Sequence, residues 1–153
     1  MKKTILSMFL VMSVTFTFAQ KANVSKAKNK ALMETPDFAG ARELIKPALT
    51  EATTKDLSST WHTAGLIGYK ENENLTNKAL LGQTVDPDVK GKAIMESYDY
   101  FIKAYELDEL PDAKGKVKPK FQKDIKAKIK EYYTTQQNLI AYGAYLFEKK
   151  NYD

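Results

Sequence analysis

Residues 61–69 read WHTAGLIGY. Large and small residues recur there three and four apart, at Trp61, Ala64, Gly65, Gly68 and Tyr69, which is the spacing of one helix face. A glycine inside a helix costs roughly 1 kcal/mol relative to alanine, so Gly65 calls for a structural return. The return on offer is close approach of a second helix. Residues 139–147, LIAYGAYLF, repeat the arrangement with Leu139, Tyr142, Gly143 and Leu146.

Working outward, no segment after Ala19 alternates apolar and polar residues with the period of a half-buried strand, while several carry helical spacing. The pattern predicts a helix from about Val24 to Met33 and another over DFAGARELIKPALTEA (37–52). The second places Phe38, Ala41, Leu44, Ile45 and Ala48 on one face. Pro47 predicts a kink or break in it, since proline inside a helix costs about 3 kcal/mol. A third helix runs from KDLSST (55–60) to Gly82. Asp86 before Pro87 is a start signal for a fourth, with Val89, Ala93, Ser97, Phe101, Ala104 and Leu107 on one stripe. LDELPDAKGKVKP (107–119) reads as a loop. One unbroken helix is expected from Pro119 to Glu148, with a seam of Phe121, Ile125, Ile129, Tyr132, Tyr133, Leu139 and Gly143. The class is all-α, about five antiparallel helices.

Second-helix patterns accompany the two glycine-bearing ones. Ala41-x3-Ile45-x2-Ala48 and Ser97-x3-Phe101-x2-Ala104 are both small-x3-large-x2-Ala, the latter leading into YELDELP (105–111), and PDFAGA (36–41) and KNYD (150–153) read as turns between paired helices. With Trp61-x2-Ala64-Gly65-x2-Gly68 and Leu139-x2-Tyr142-Gly143-x2-Leu146, these strings resemble the tetratricopeptide repeat family, in an exported form from Gram-negative envelopes. The resemblance implies an antiparallel helix-pair solenoid of two and a half repeats. Asn29, the weak glycine equivalent, precedes Gly65 by 36 residues, near the usual 34, whereas Gly65 precedes Gly143 by 78, which fits extended helices. It also implies a groove lined by first helices: Lys26, Lys30 and Met33, then His62, Leu66 and Tyr69, then Ile140, Ala144 and Phe147. Trp61, Ala64, Gly65, Ala41, Phe101 and Ala104 are packing residues on the same basis. A chain stopping after the first helix of a pair is expected to be a fragment truncated at its C-terminal end.

Residues 1–19 stand apart. MKK, then the apolar TILSMFLVMSVTFTFA, then a small residue before Gln20 is the order of a secretory signal peptide cut near Ala19–Gln20, leaving a repeat domain at 20–153 and a periplasmic or secreted product. The apolar run is short for a span of about 20 residues, and no stable span is expected after cleavage. The full chain carries 24 Lys+Arg against 19 Asp+Glu, and loss of Lys2 and Lys3 leaves a charge of +3.

With no cysteine and one histidine, His62, metal sites built on thiolate or imidazole have no ligands to draw on, and no cofactor is expected. No GxxxxGK[ST], GxSxG or HExxH string occurs, so no catalytic role is expected. The run Lys114–Lys130 holds eight lysines. On a helix from Pro119, Lys120, Lys123, Lys126 and Lys130 lie mostly opposite Phe121, Ile125 and Ile129. That face is either solvated or a contact for anionic polymers, glycans or lipid headgroups. Nucleic acid is not expected, because Arg42 is the only arginine and bidentate recognition favours that side chain. The expectation is a non-catalytic scaffold binding another envelope protein or peptide through its repeat groove, with the basic helix as the alternative surface.

Overall fold

The computed structural model describes residues 20–112, 114–134 and 136–149, with the side chains of 132–138 outside the described set. The signal-peptide expectation, the seam positions Tyr132 and Tyr133, and the KNYD turn fall outside it. The described residues contain helices and no strand. They form α1 (20–32), α2 (Phe38–Ile45), a 3-10 turn (Lys46–Leu49), α3 (Ser58–Leu80), α4 (Pro87–Asp108), α5 (Gln122–Thr134) and α6 (Gln136–Glu148).

Each boundary has a local cause. Asp37 caps α2 by accepting from the Gly40 amide at 2.8 Å. Pro47 tightens the chain into the 3-10 turn, so α2 ends at Ile45 while Ala48 still reaches the core. After α3, Gly82 takes a left-handed φ of 76°, which its missing side chain permits. Asp86 accepts from the Asp88 amide at 2.8 Å and Pro87 occupies the first turn of α4, as the sequence predicts.

Where a single last helix is expected from Pro119, the chain becomes helical only at Gln122, and residues 116–119 hold no regular secondary structure. Residue 135, between α5 and α6, is not among the described residues. On either side of it the segments keep one antiparallel register against α4. Phe121 meets Asp108 at one end, and Tyr142 meets Asp88 at the other.

The core forms around α3 and α4, the most extensively packed pair. A Cβ added at Gly65 would stand 2.5 Å from Phe101 Cδ1, and one at Gly68 2.5 Å from the Ala93 carbonyl. Phe101 is fully buried in that contact, and Ser97 Oγ donates to the Gly65 carbonyl at 2.7 Å. One apolar cluster joins Ala27 and Ala31 of α1 with Ala41 and Ile45 of α2 and Ala64 and Ile67 of α3. The other joins Tyr69, Ile94, Phe101 and Ala104 to Ile125 of α5. Val89, expected on the buried stripe of α4, is 45% exposed. The buried position at that end is Gly91, against which the Tyr142 ring packs so closely that a Cβ would fall inside it.

Gly65→Ala is expected to destabilise the protein by about 1–3 kcal/mol, since Phe101 has no room to retreat. Gly143→Ala, with no described residue within 4 Å of the added carbon, is expected to stabilise by roughly 0.5–1 kcal/mol. Urea unfolding of the two variants checks the contrast, and equal effects would show that Gly65 is not a contact point.

Candidate functional site

The residues expected to line a groove separate into three situations. On α1, Lys26 and Met33 are exposed, while Lys30 ion-pairs with Asp37, the residue that caps α2. Lys30 therefore braces the α1–α2 turn.

His62, Leu66 and Tyr69 do not line an open groove; all three are buried, at 7%, 7% and 6% exposure. The physical reason is α5, whose residues contact two of the three. Phe121 stacks on the His62 ring at 4.4 Å between centroids, and His62 Nε2–H donates to Asp124 Oδ2 at 2.7 Å. One turn further, Lys128 bonds Asp124 at 2.6 Å and lies 5.2 Å from the Tyr69 ring centroid, and the Tyr69 hydroxyl donates to Glu131. Because 62 and 69 meet 121–124 and 128–131 in rising order, α5 runs parallel to α3.

This contact has its own electrostatics. Burial holds the His62 pKa below the ordinary histidine value. Lys128 and Lys28 act in the same direction, against the pull of Asp124. Burial pushes Asp124 up, but hydrogen bonds from Lys128 and His62 outweigh it and hold the carboxyl below its usual range. His62 is thus neutral where its unfolded counterpart begins to charge.

On α6, Ile140 and Phe147 are 66% and 68% exposed, Ala144 is exposed between them, and among the described residues nothing lies within 4 Å of a Cβ added at Gly143. These positions stay on the surface because α6 meets α4 through Tyr142, whose hydroxyl donates to Asp88 at 3.1 Å.

The basic residues Lys120, Lys123, Lys126 and Lys130 are exposed, with the seam of Phe121, Ile125 and Ile129 turned inward. Lys120 precedes the helix instead of lying on it. Its amide, with those of Phe121 and Gln122, donates to Asp108 Oδ2 at 2.8, 2.7 and 3.2 Å. Asp108 Oδ1 accepts from Ser58 at 3.1 Å. One buried carboxylate at the end of α4 therefore caps α5 and ties it to the start of α3. Sequence reading passed over Asp108, which looks like an ordinary loop acid in YELDELP.

It also missed Arg42. The guanidinium reaches Glu71 of α3 at 2.5 Å and Glu96 of α4 at 3.0 Å, walling an open cleft of about 590 Å³ with Tyr100, Met95 and Tyr142. Being the sole arginine was its signal, because a fork that grips two carboxylates is the task lysine does least well. Tyr100, half-buried beside Glu96, has its phenol pushed up to about 12 by burial and by that carboxylate.

Among the described residues no group of three or more His, Cys, Asp or Glu is placed to hold a metal ion, and no helix is long and apolar enough to cross a membrane. Comparison with protein-family models, with curated proteins and with solved structures finds no match to this chain.

Asp108→Ala is expected to cost about 2 kcal/mol or more, since three amides and a hydroxyl lose their acceptor. The loss is read as a lower urea midpoint.

The His62 shift sets a pH window. With the folded pKa held below the ordinary histidine value of about 6.5, stability is full above that value and declines as pH falls from there toward the folded value. The wild type is expected to weaken as pH falls below about 7, and His62→Gln to flatten that slope in urea titrations over the acidic range. An unchanged slope would remove His62 as its source.

Proposed function

We propose that the protein is a non-catalytic interaction module built from tetratricopeptide-like helix pairs, α1 with α2 and α3 with α4, with α5 and α6 standing as the first helix of a third. It is exported to the periplasm or secreted after cleavage near Ala19–Gln20, and binds another envelope protein or peptide. Support for the pairing comes from Gly65, which receives Phe101 as the repeat pattern requires.

One observation carries the binding reading. From Leu139 to Phe147 the α6 sequence is apolar or aromatic at every position, yet Ile140, Gly143, Ala144 and Phe147 face outward. A helix apolar all round is normally covered all round. Of the expected groove, α5 closes the middle by burying His62, Leu66 and Tyr69, so the working part is the α6 face. Affinity there would come from a few aliphatic and aromatic anchors, with no chemistry involved.

The exposed lysines favour a second reading, a polyanion, glycan or lipid-headgroup contact through Lys120, Lys123, Lys126 and Lys130. Pull-down from an envelope extract with residues 20–153, eluted by stepped salt, separates the two. Groove binding is expected to survive high salt and to be lost in the double variant Ile140→Asp/Phe147→Asp. Release of all bound material by salt, with the double variant binding like wild type, would move the function to the lysine face.

A further inference from the structure

α2 and α4 both lie on α3 but pack little on one another, and the gap between them is a cleft floored by α3. Its narrower end, about 250 Å³, has buried Ile45, Ala64 and Ile67 at the base, with half-buried Leu49 and Tyr100 beside them. The wider part, about 590 Å³, runs on to Val89, Met95 and Tyr142. Arg42, Glu96 and Tyr100 border both parts, so the two form one track. From Tyr100 to Val89 it covers roughly 16 Å along α4. Both ends are apolar, and Val89 and Met95 are exposed there. The middle is charged: three carboxylates, Glu71, Glu96 and Asp99, share the one guanidinium of Arg42. Asp99 is exposed and has no ion-pair partner among the described residues. Lys92 is held by Asp88, and Lys46 stands at the narrow end. On a chain of net charge +5 the middle of the track thus keeps surplus negative charge, and a cation complements it.

We infer that this track docks an extended segment of a partner protein with an aliphatic residue, a lysine or arginine, and a second aliphatic residue at every other position. In an extended chain the side chains at i, i+2 and i+4 share one face and span about 13 Å. That spacing fits the length of the track, and the order apolar, basic, apolar fits its order of apolar, acidic, apolar. The aliphatic side chains enter the two ends as anchors, and the central cation meets Glu96 and Asp99. The site is separate from the groove that α5 closes. His62, Leu66 and Tyr69 lie under α5, whereas Ala64, Ile67 and Glu71 lie on the opposite side of α3, so docking leaves every described helix in place. It is also separate from the outward face of α6, and the inference does not rest on the reading of that face.

The test follows the anisotropy of dye-labelled peptides titrated with the protein. Leu-Ala-Lys-Ala-Leu is expected to bind about tenfold tighter than Leu-Ala-Glu-Ala-Leu at low salt, an advantage that high salt removes. Asp99→Lys should reverse the preference, and Val89→Ser/Met95→Ser should weaken both peptides. Leu-Leu-Lys-Ala-Ala has the same composition with its leucines on opposite faces, and should bind about tenfold more weakly than the alternating peptide. Near-UV circular dichroism checks that these variants, all at exposed positions, remain folded. Equal affinity for the Lys and Glu peptides, or for the alternating and reordered ones, overturns the inference. So does a preference that Asp99→Lys leaves unmoved, or no binding at all. Leucinamide competing as well as the whole peptide would make the occupant a small amine, and self-association lost in Asp99→Lys would make it a second copy; either result overturns the inference. Ile140→Asp/Phe147→Asp is expected to bind the Lys peptide like wild type, so that the track and the α6 face stand or fall separately. Loss of the peptide in that variant would move the binding to α6 and overturn the inference.

Discussion

The close approach of α3 and α4 at Gly65 and Gly68 is the constraint on which the remaining packing depends. With no side chain at either position, the Phe101 ring and the Ala93–Ser97 backbone press onto α3. Ser97 then reaches the Gly65 carbonyl, and farther along Asn72 donates to the Lys90 carbonyl at 3.0 Å. Two long helices held this tightly give a rigid slab. α1 and α2 cover one part of it through alanines, and α5 covers another through Ile125. Small residues at the contact and large ones beside it allow interior density without long apolar runs, which is how a chain with 28% charged residues still builds a core.

The last two helices are attached by different chemistry. At the Asp108 end the junction is polar, a carboxylate receiving three amides and a hydroxyl, with His62, Asp124 and Lys128 forming a second polar cluster beside it. At the Asp88 end it is a tyrosine ring laid on a glycine, with one hydroxyl bond. Buried polar clusters fix geometry at a cost in desolvation, whereas ring-on-glycine contacts depend on shape. α5 is thus held in one orientation against both α3 and α4, while α6 rests chiefly on α4. That difference explains why the face of α3 expected to be a groove became core and the face of α6 did not.

Much of the fold was legible because it is local. Asp86–Pro87, Pro47 and Gly82 act within a turn of their own position, and the three- and four-residue spacing marks buried faces without reference to partners. The start of the last helix was misread because Pro119 is a good helix opener in isolation. The decisive capping group, Asp108, comes from another helix, and no local rule sees it. His62, Leu66 and Tyr69 were misplaced for a related reason. Their spacing identifies a face of α3, and only the position of α5 determines whether that face meets solvent or Phe121 and Asp124. Ile140, Ala144 and Phe147 are exposed on α6.

Trp61, the only tryptophan in the chain, gives the molecule a built-in optical label. Its indole N–H donates to the Lys55 carbonyl at 2.5 Å, and its ring tilts against Tyr100 at 5.8 Å, so it senses the segment entering α3 and the flank of α4. The tyrosines of α6, Tyr142 and Tyr145, are stacked on each other at 6.3 Å and contribute nothing to emission excited at the red edge of the indole band. The central slab and the final helix are therefore separable by light. Tryptophan emission follows the α3–α4 body alone, and changes confined to α6 leave it unaltered.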